Sequence, residues 1–202
     1  MKIAIIVEGK TETAFRPHLR AFLEPRLQGK MPRLDIFKYD GRVPKAQKLR
    51  RVVANLLSQS KPPADAVIAL TDVYTGTDDF KDAADAKRKM NEWVGPEKRF
   101  YPHVAQHDFE AWLLPYWSDI QKIAGQNKSA PPGAPESVNH SHPPSYYVGE
   151  IFRQGTCKRH YSKARDANRI LRGQDLSKSA EQCSELKAFL NTILSLCGGQ
   201  PL

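Results

Sequence analysis

The chain begins with a short apolar segment that ends abruptly in charged residues. Residues 3–7 (IAIIV) are mostly β-branched and too few for a helix, and Gly9 and an amphipathic segment over residues 11–23 follow them. This pattern predicts a central parallel strand that leads directly into a helix. Open α/β sheets place their sites at the carboxyl ends of parallel strands, so Glu8 is a candidate site residue. The alternative is an ordinary solvated acid at a strand end.

The triplet Gly9-Lys10-Thr11 resembles the end of a phosphate-binding P-loop. That motif also requires a glycine five residues before Gly9, and Ala4 occupies the position. A dinucleotide-binding GxGxxG is also missing after the strand. What remains is a carboxylate, a tight turn and a helix start at which Thr11 or Glu12 caps free amides.

Strands and helices alternate along the next hundred residues. Apolar runs predict strands over residues 34–39, 66–70 and 101–105, and amphipathic segments predict helices over 45–58 and 80–93. The fold class predicted is α/β, a mostly parallel four-stranded sheet flanked by helices, with a C-terminal helical extension. We assign residues 1–125 to the α/β core, 126–145 to a Pro/Ser-rich loop or linker, and 146–202 to a basic helical extension packed on the core.

The composition favours a polyanionic partner in a reducing compartment. The 202 residues include 31 Lys and Arg against 22 Asp and Glu, a formal charge of +9. Such an excess suggests nucleic-acid binding, although it also serves solubility alone. Three widely spaced cysteines indicate neither a disulfide framework nor a zinc ribbon, so we expect a cytoplasmic protein. No apolar stretch approaches bilayer-spanning length, so no membrane partner is expected.

Acidic residues follow three of the predicted strands. Glu8 follows the first strand, Asp72 the third, and Asp108 or Glu110 the fourth. Adjacent parallel strands would bring these carboxylates together, and a hard divalent cation, Mg²⁺ or Mn²⁺, relieves their repulsion most simply. Two such ions would suit cleavage of a phosphodiester.

Two further acids and a lysine lie beside these strand ends. Asp78 and Asp79 could supply further metal-binding oxygens, but for at least one of them a cap on the helix over 80–93 is the better interpretation. Lys10 is a candidate contact to the scissile phosphate, and its alternative is an exposed turn lysine.

Several motifs together resemble a Toprim-like family of small uncharacterised proteins typical of bacterial defence loci. These motifs are VEGKTE over residues 7–12, the strand ending in Asp72, and QHDFEAWLL over residues 106–114. The family pairs VEGxTE with a segment similar to HEFEALLF. The tail over residues 161–194 is also similar to the helical end of that family. The family is related to the Toprim half of OLD-type nucleases.

The resemblance implies a Toprim fold that performs divalent-metal chemistry on phosphodiesters. By position, Glu8 would be a metal ligand or general base, Asp72 a metal ligand, and Glu110 a further acid at the rim of the site. One feature departs from the family, because Toprim sites usually carry Asp-x-Asp on the third strand, whereas Tyr74 replaces the second acid here. A one-metal nuclease and a degenerate binding domain therefore both remain open.

A basic tract in the C-terminal part is a candidate nucleic-acid contact. Its alternative is a solvated helical face. The candidate residues are Lys158, Arg159, Lys163, Arg165, Arg169 and Arg172.

The function expected is a metal-dependent nuclease acting on DNA or RNA, as an effector of bacterial anti-phage defence. The resemblance to OLD-type enzymes, whose other half is an ABC-type ATPase, implies an ABC-type or AAA ATPase as partner. Because this chain has no Walker motif, the ATPase would be separately encoded, and a homodimer is a further option. The first alternative is a catalytically degenerate nucleic-acid-binding or regulatory subunit. A phosphotransfer protein of the receiver type ranks third, because it leaves the basic tail without a purpose.

Overall fold

Four parallel strands form a single sheet in the computed structural model, which describes residues 1–39, 41–73, 79–139, 141–156 and 159–202 and, at Lys10, the backbone alone. The strands are β1 (Lys2–Val7), β2 (Arg33–Lys38), β3 (Ala66–Asp72) and β4 (Phe100–Ala105), in the order β2-β1-β3-β4. β1 and β3 are buried along their whole length, as central strands of a parallel sheet covered on both faces require. The predicted α/β fold class is confirmed.

Three helices connect the strands and cover both faces of the sheet. They are α1 (Lys10–Leu27), α2 (Ala46–Ser58) and α3 (Ala83–Val94). Alternate residues of β1 point to opposite faces: Ile3 and Ile5 pack with α1, whereas Ala4 and Ile6 pack with α2 and α3. Helix α3 begins later than predicted because Asp82 caps it, accepting the Asp85 N–H at 2.8 Å. Asp79 therefore does not cap this helix, and Asp78, the other candidate cap, lies outside the described residues.

The C-terminal part consists of short helices packed on the α1 face. A 3₁₀ helix over Phe109–Tyr116 leads into α4 (Trp117–Ala124), and the further helices are α5 (Pro144–Gln154), α6 (Lys163–Leu171), α7 (Leu176–Ala180) and α8 (Ser184–Leu196). These elements share one apolar cluster with β1 and α1. Within the described ranges, every helix is too short or too polar to cross a bilayer.

Glu136 attaches the Pro/Ser-rich segment to the rest of the protein. It lies in a 3₁₀ turn over Pro135–Ser137, and its carboxylate accepts hydrogen bonds from Trp112 Nε1 at 3.2 Å and Ser184 Oγ at 3.0 Å. The Glu185 N–H, at the start of α8, donates to the same carboxylate at 3.1 Å. The segment predicted as an exposed loop is thus fixed at its middle, where Pro135 and Val138 are buried.

Candidate functional site

The carboxyl ends of three adjacent strands bring acidic side chains to one edge of the sheet. Glu8 follows β1, Asp72 ends β3, and Asp108 and Glu110 follow β4. The order β2-β1-β3-β4 makes β1, β3 and β4 neighbours, with Asp72 directly opposite Ala105. All four acids are buried, at 1–6 % exposure. The structure therefore brings together the acids that the strand pattern placed at this edge.

The end of β3 fixes the orientation of Glu8. The hydroxyl of Thr71 and the backbone N–H of Asp72, the latter at 3.1 Å, both donate to Glu8 Oε1. These bonds connect neighbouring strands, so they hold the Glu8 carboxylate beside Asp72. Thr71 therefore positions the acid that the sequence pattern singled out first.

Glu12 is an acid of the site that the sequence analysis treated only as a cap. It lies in the first turn of α1, four residues after Glu8, and is buried, and its Oε2 accepts the Gly9 N–H at 3.1 Å, which confirms the capping contact. Burial raises the pKa of Glu12, against the hydrogen bonds from backbone amides and the charge of Lys163. The four-residue spacing of Glu8 and Glu12 is the sequence signal that could have identified it.

Asp108 and Glu110 form a second pair of buried acids. Asp108 Oδ2 accepts the Ser145 N–H at the start of α5 at 3.0 Å, whereas Oδ1 is buried without a hydrogen-bond partner among the described residues. Glu110 accepts hydrogen bonds from Tyr161 Oη at 3.2 Å and Lys163 Nζ at 3.4 Å. Burial, and secondarily the charge of Asp108, raises the pKa of Glu110 to about 7.

All of these acids except Asp108 line a cleft of about 420 Å³, which we call the acidic cleft. Its lining residues are Glu8, Gly9, Thr11, Glu12, Gly41, Asp72, Phe109, Glu110, Ser162, Lys163 and Ala164. Lys163, at the start of α6, brings a positive charge to it. Burial opposes that charge, but Glu110, Asp108 and Asp72 outweigh it and raise the pKa of Lys163.

The electrostatics of the cleft favour a bound cation. Burial raises the pKa of Asp72 well above its ordinary value, and the charges of Glu8 and three further acids add to the effect. Carboxylate oxygens are the donors that Mg²⁺ and Mn²⁺ prefer, so the donor set fits such an ion. Among the described residues, however, no three acidic, imidazole or thiol groups are arranged as a ready ligand set, so binding an ion requires side-chain movement.

Part of the predicted basic face is neutralised internally. Asp166 on α6 is fully buried and accepts two hydrogen bonds from Arg159 at 2.6 and 2.9 Å and two from Arg165 at 3.2 and 3.3 Å. Arg169 lies 3.9 Å from the same carboxylate. These three arginines thus share one buried counter-ion, whereas Arg172 is exposed at the end of α6.

The structure does not bring Asp79 to the acids as a ligand. Its carboxylate pairs instead with Arg42 and Lys45. Three residues on which predictions rest lie outside the described residues: Tyr74, Asp78 and Lys158. The side chain of Lys10 also lies outside them.

The fold and the cleft define a class of protein, an α/β domain with a four-stranded parallel sheet and acids at its carboxyl edge. The chain is similar to the C-terminal region of the Burkholderia pseudomallei OLD protein, with a TM-score of 0.56, 12% identity, and coverage of 97% of this chain and 98% of that one. It is also similar to the C-terminal region of the Xanthomonas campestris pv. campestris OLD protein, with a TM-score of 0.51, 12% identity, and coverage of 97% and 96%. These likenesses show an OLD-related, Toprim-like fold.

The chain belongs to the family described as Domain of unknown function (DUF4276), whose model matches residues 7–194. No curated protein matches it.

Proposed function

We propose that this protein is a divalent-metal-dependent phosphodiesterase that cleaves DNA or RNA. The observation that carries the proposal is the convergence of Glu8, Glu12, Asp72 and Glu110 with Lys163 around one cleft. Buried carboxylates at this density repel one another, and a divalent cation both relieves the repulsion and supplies phosphodiester chemistry.

Two groups of acids would hold metal ions. Glu8, Glu12 and Asp72 form the first group, and Asp108 and Glu110 form the second, which offsets the loss of the second acid on β3. A bound Mg²⁺ or Mn²⁺ supplies an activated water and charge stabilisation for the leaving oxygen. Thr71 holds Glu8 in place, and Oδ1 of Asp108, which has no hydrogen-bond partner among the described residues, has lone pairs that could bind an ion.

Among the described residues, Lys163 is the group best placed to stabilise the charge that develops on a phosphate in the cleft. Its side chain is half exposed, and its ammonium lies 3.4 Å from Glu110, so it reaches both the cleft and solvent. The hydroxyl of Tyr161 donates to the other oxygen of Glu110 and so fixes the position of that carboxylate. Glu110, with a pKa of about 7, can accept or return a proton near neutral pH.

The wider role follows from the resemblance to OLD-type nucleases. We propose a role in anti-phage defence in the cytoplasm, with a separately encoded ATPase as partner. The second candidate function is a nucleic-acid-binding or regulatory subunit without catalysis. It is favoured by Tyr74 at the position of the second β3 acid.

Metal binding and cleavage measured on the same variants test the proposal. Mn²⁺ and Mg²⁺ are titrated by calorimetry into wild type, Glu8→Gln and Asp72→Asn, and cleavage of plasmid and total RNA is followed in parallel. Glu97→Gln is the matched control, because it removes a carboxylate paired with Arg99 at the amino edge of the sheet. We expect both site variants to lose metal binding and cleavage, and the control to keep them.

The alternative outcome is equally clear. A wild type that binds nucleic acid in a salt-sensitive way but binds no metal at millimolar concentration refutes the nuclease and supports the binding subunit.

A further inference from the structure

Glu8 and Asp72 also line a second, smaller cavity beside the acidic cleft. It has a volume of about 10 Å³, room for about one water, and Arg42, Lys45 and Asp79 form its polar wall. Two positive side chains from the segment before α2 converge there on one carboxylate, that of Asp79. Lys89 Nζ donates to the backbone carbonyl of Asp79 at 2.9 Å, which ties this acid to α3.

We propose that Arg42 and Lys45 bind a backbone phosphate of the nucleic acid, and that Asp79 occupies this phosphate subsite in the free protein. The identity of the polyanion rests on the proposed function. A carboxylate and a phosphate use the same donors, guanidinium and ammonium N–H groups, so Asp79 stands in the place of the ligand. The subsite shares Glu8 and Asp72 with the acidic cleft, so a phosphate held there would lie beside the proposed metal-binding acids.

The pairs are accessible enough for a phosphate to displace Asp79. The side chains of Arg42 and Lys45 are 44% and 43% exposed, and that of Asp79 is 25% exposed. Half-exposed ion pairs of this kind contribute little free energy, so a competing anion exchanges with the carboxylate readily.

Helix α2 extends the positive surface away from the subsite. Lys48 and Arg51 are exposed on it, and neither has an acidic partner within the part of the chain that the structure describes. Each phosphate contact on such a surface adds salt-dependent affinity. This route complements Lys163 on the other side of Glu8 and Asp72, and it differs from the α6 tract, where Asp166 already neutralises three arginines.

Binding in the absence of metal tests the inference independently of catalysis. Fluorescence anisotropy of a fluorescein-labelled DNA duplex and of an RNA of the same sequence is measured in EDTA at several salt concentrations. Asp79→Asn should bind about two- to fivefold more tightly than Glu97→Gln, which loses the same charge from an arginine pair at the opposite edge of the sheet. Misfolding cannot produce that gain.

Arg42→Gln and Lys45→Gln should each weaken binding and lower the slope of log K against log salt by about one. Equal affinities of Asp79→Asn and Glu97→Gln would overturn the inference. So would loss of Mn²⁺-dependent cleavage in Asp79→Asn with unchanged binding, because Asp79 would then be a metal ligand. Tighter binding by Asp79→Asn together with a wild type that cleaves nothing would leave the phosphate subsite standing and refute only the nuclease.

Discussion

Replacing Asp166 tests whether a buried acid holds the start of α6 against the cleft. Its carboxylate has no exposed surface and accepts the Ser162 N–H at 2.8 Å and the Arg159 guanidinium at 2.6 and 2.9 Å. Because Ser162 directly precedes Lys163, the same contacts position this lysine at the acidic cleft. Asp166→Asn keeps the shape of the side chain and removes its charge.

The loss of stability expected for Asp166→Asn follows from the pKa of Asp166 and from its contacts. The Arg159 and Arg165 hydrogen bonds outweigh burial and lower that pKa from 3.8 to about 2, which corresponds to about 2 kcal/mol of stability at neutral pH. Arg169, which is 46% exposed and 3.9 Å from the carboxylate, adds little. A loss of about 2–3 kcal/mol in a chain of this length lowers the Tm by about 4–12 °C.

Thermal unfolding followed by circular dichroism provides the measurement. Glu92→Gln is the control, because Glu92 and its partner Arg88 are both 57% exposed, and it should shift the Tm by less than about 2 °C. A lowered pKa stabilises the fold above pH 3.8, and that stabilisation is lost as the pH falls through about 2. The Tm difference between wild type and Asp166→Asn should therefore shrink between about pH 4 and pH 2.

An Asp166→Asn variant with the Tm of Glu92→Gln would refute this reasoning, because the buried carboxylate would then be replaceable by a neutral amide. A lowered Tm that persists unchanged to pH 2 would refute the charge-based explanation and point to packing instead.

Three further predictions concern the cleft. In EDTA, the free energy of unfolding of wild type should fall as the pH rises from about 4.5 to 7. The raised pKa of Glu110 means that in this range the folded state holds a proton which the unfolded state releases. Urea unfolding of Glu110→Gln should show a flatter pH dependence. Thr71→Val should weaken Mn²⁺ binding about tenfold by calorimetry, because Glu8 loses a donor that orients it, whereas Thr71→Ser should keep wild-type affinity. Lys163→Gln should lower the cleavage rate about a hundredfold with metal binding retained, and Lys163→Arg should keep part of the wild-type cleavage rate. Equal cleavage by Lys163→Gln and wild type would contradict the role of this lysine.

The strand ends were predictable because their burial is encoded locally. A β-branched run such as residues 3–7 has to be covered on both faces, and alternation with amphipathic helices then determines a parallel sheet. The sequence pattern therefore predicts Glu8 and Asp72 at the same edge of the sheet. Glu12 could also have been predicted as a site residue, because it follows Glu8 by only four residues, but the sequence analysis interpreted it only as a helix cap.

The contacts that distant segments of the chain make at the site could not be predicted from local sequence patterns. Lys163 reaches Glu110 across 53 residues, and Glu136 reaches the start of α8 across 49. Such contacts depend on how the C-terminal helices pack against α1. Similarly, the arginines of the basic tract can be read from the sequence, but the burial of Asp166 among them is visible only in the tertiary structure.

Proton binding and metal binding in the acidic cleft both relieve the repulsion between its carboxylates. Three of its acids, Glu8, Glu12 and Glu110, and the neighbouring Asp108 lie close enough to raise the pKa of Asp72, although Lys163 brings a positive charge to the cleft. The repulsion is relieved either by protons, which the pKa of Glu110 near 7 makes available at neutral pH, or by divalent cations. The two solutions compete, since a ligand carboxylate must give up its proton before it binds an ion. Metal affinity should therefore rise with pH through neutrality in wild type and rise less steeply in Glu110→Gln. A binding-only protein with protonated acids would show neither dependence.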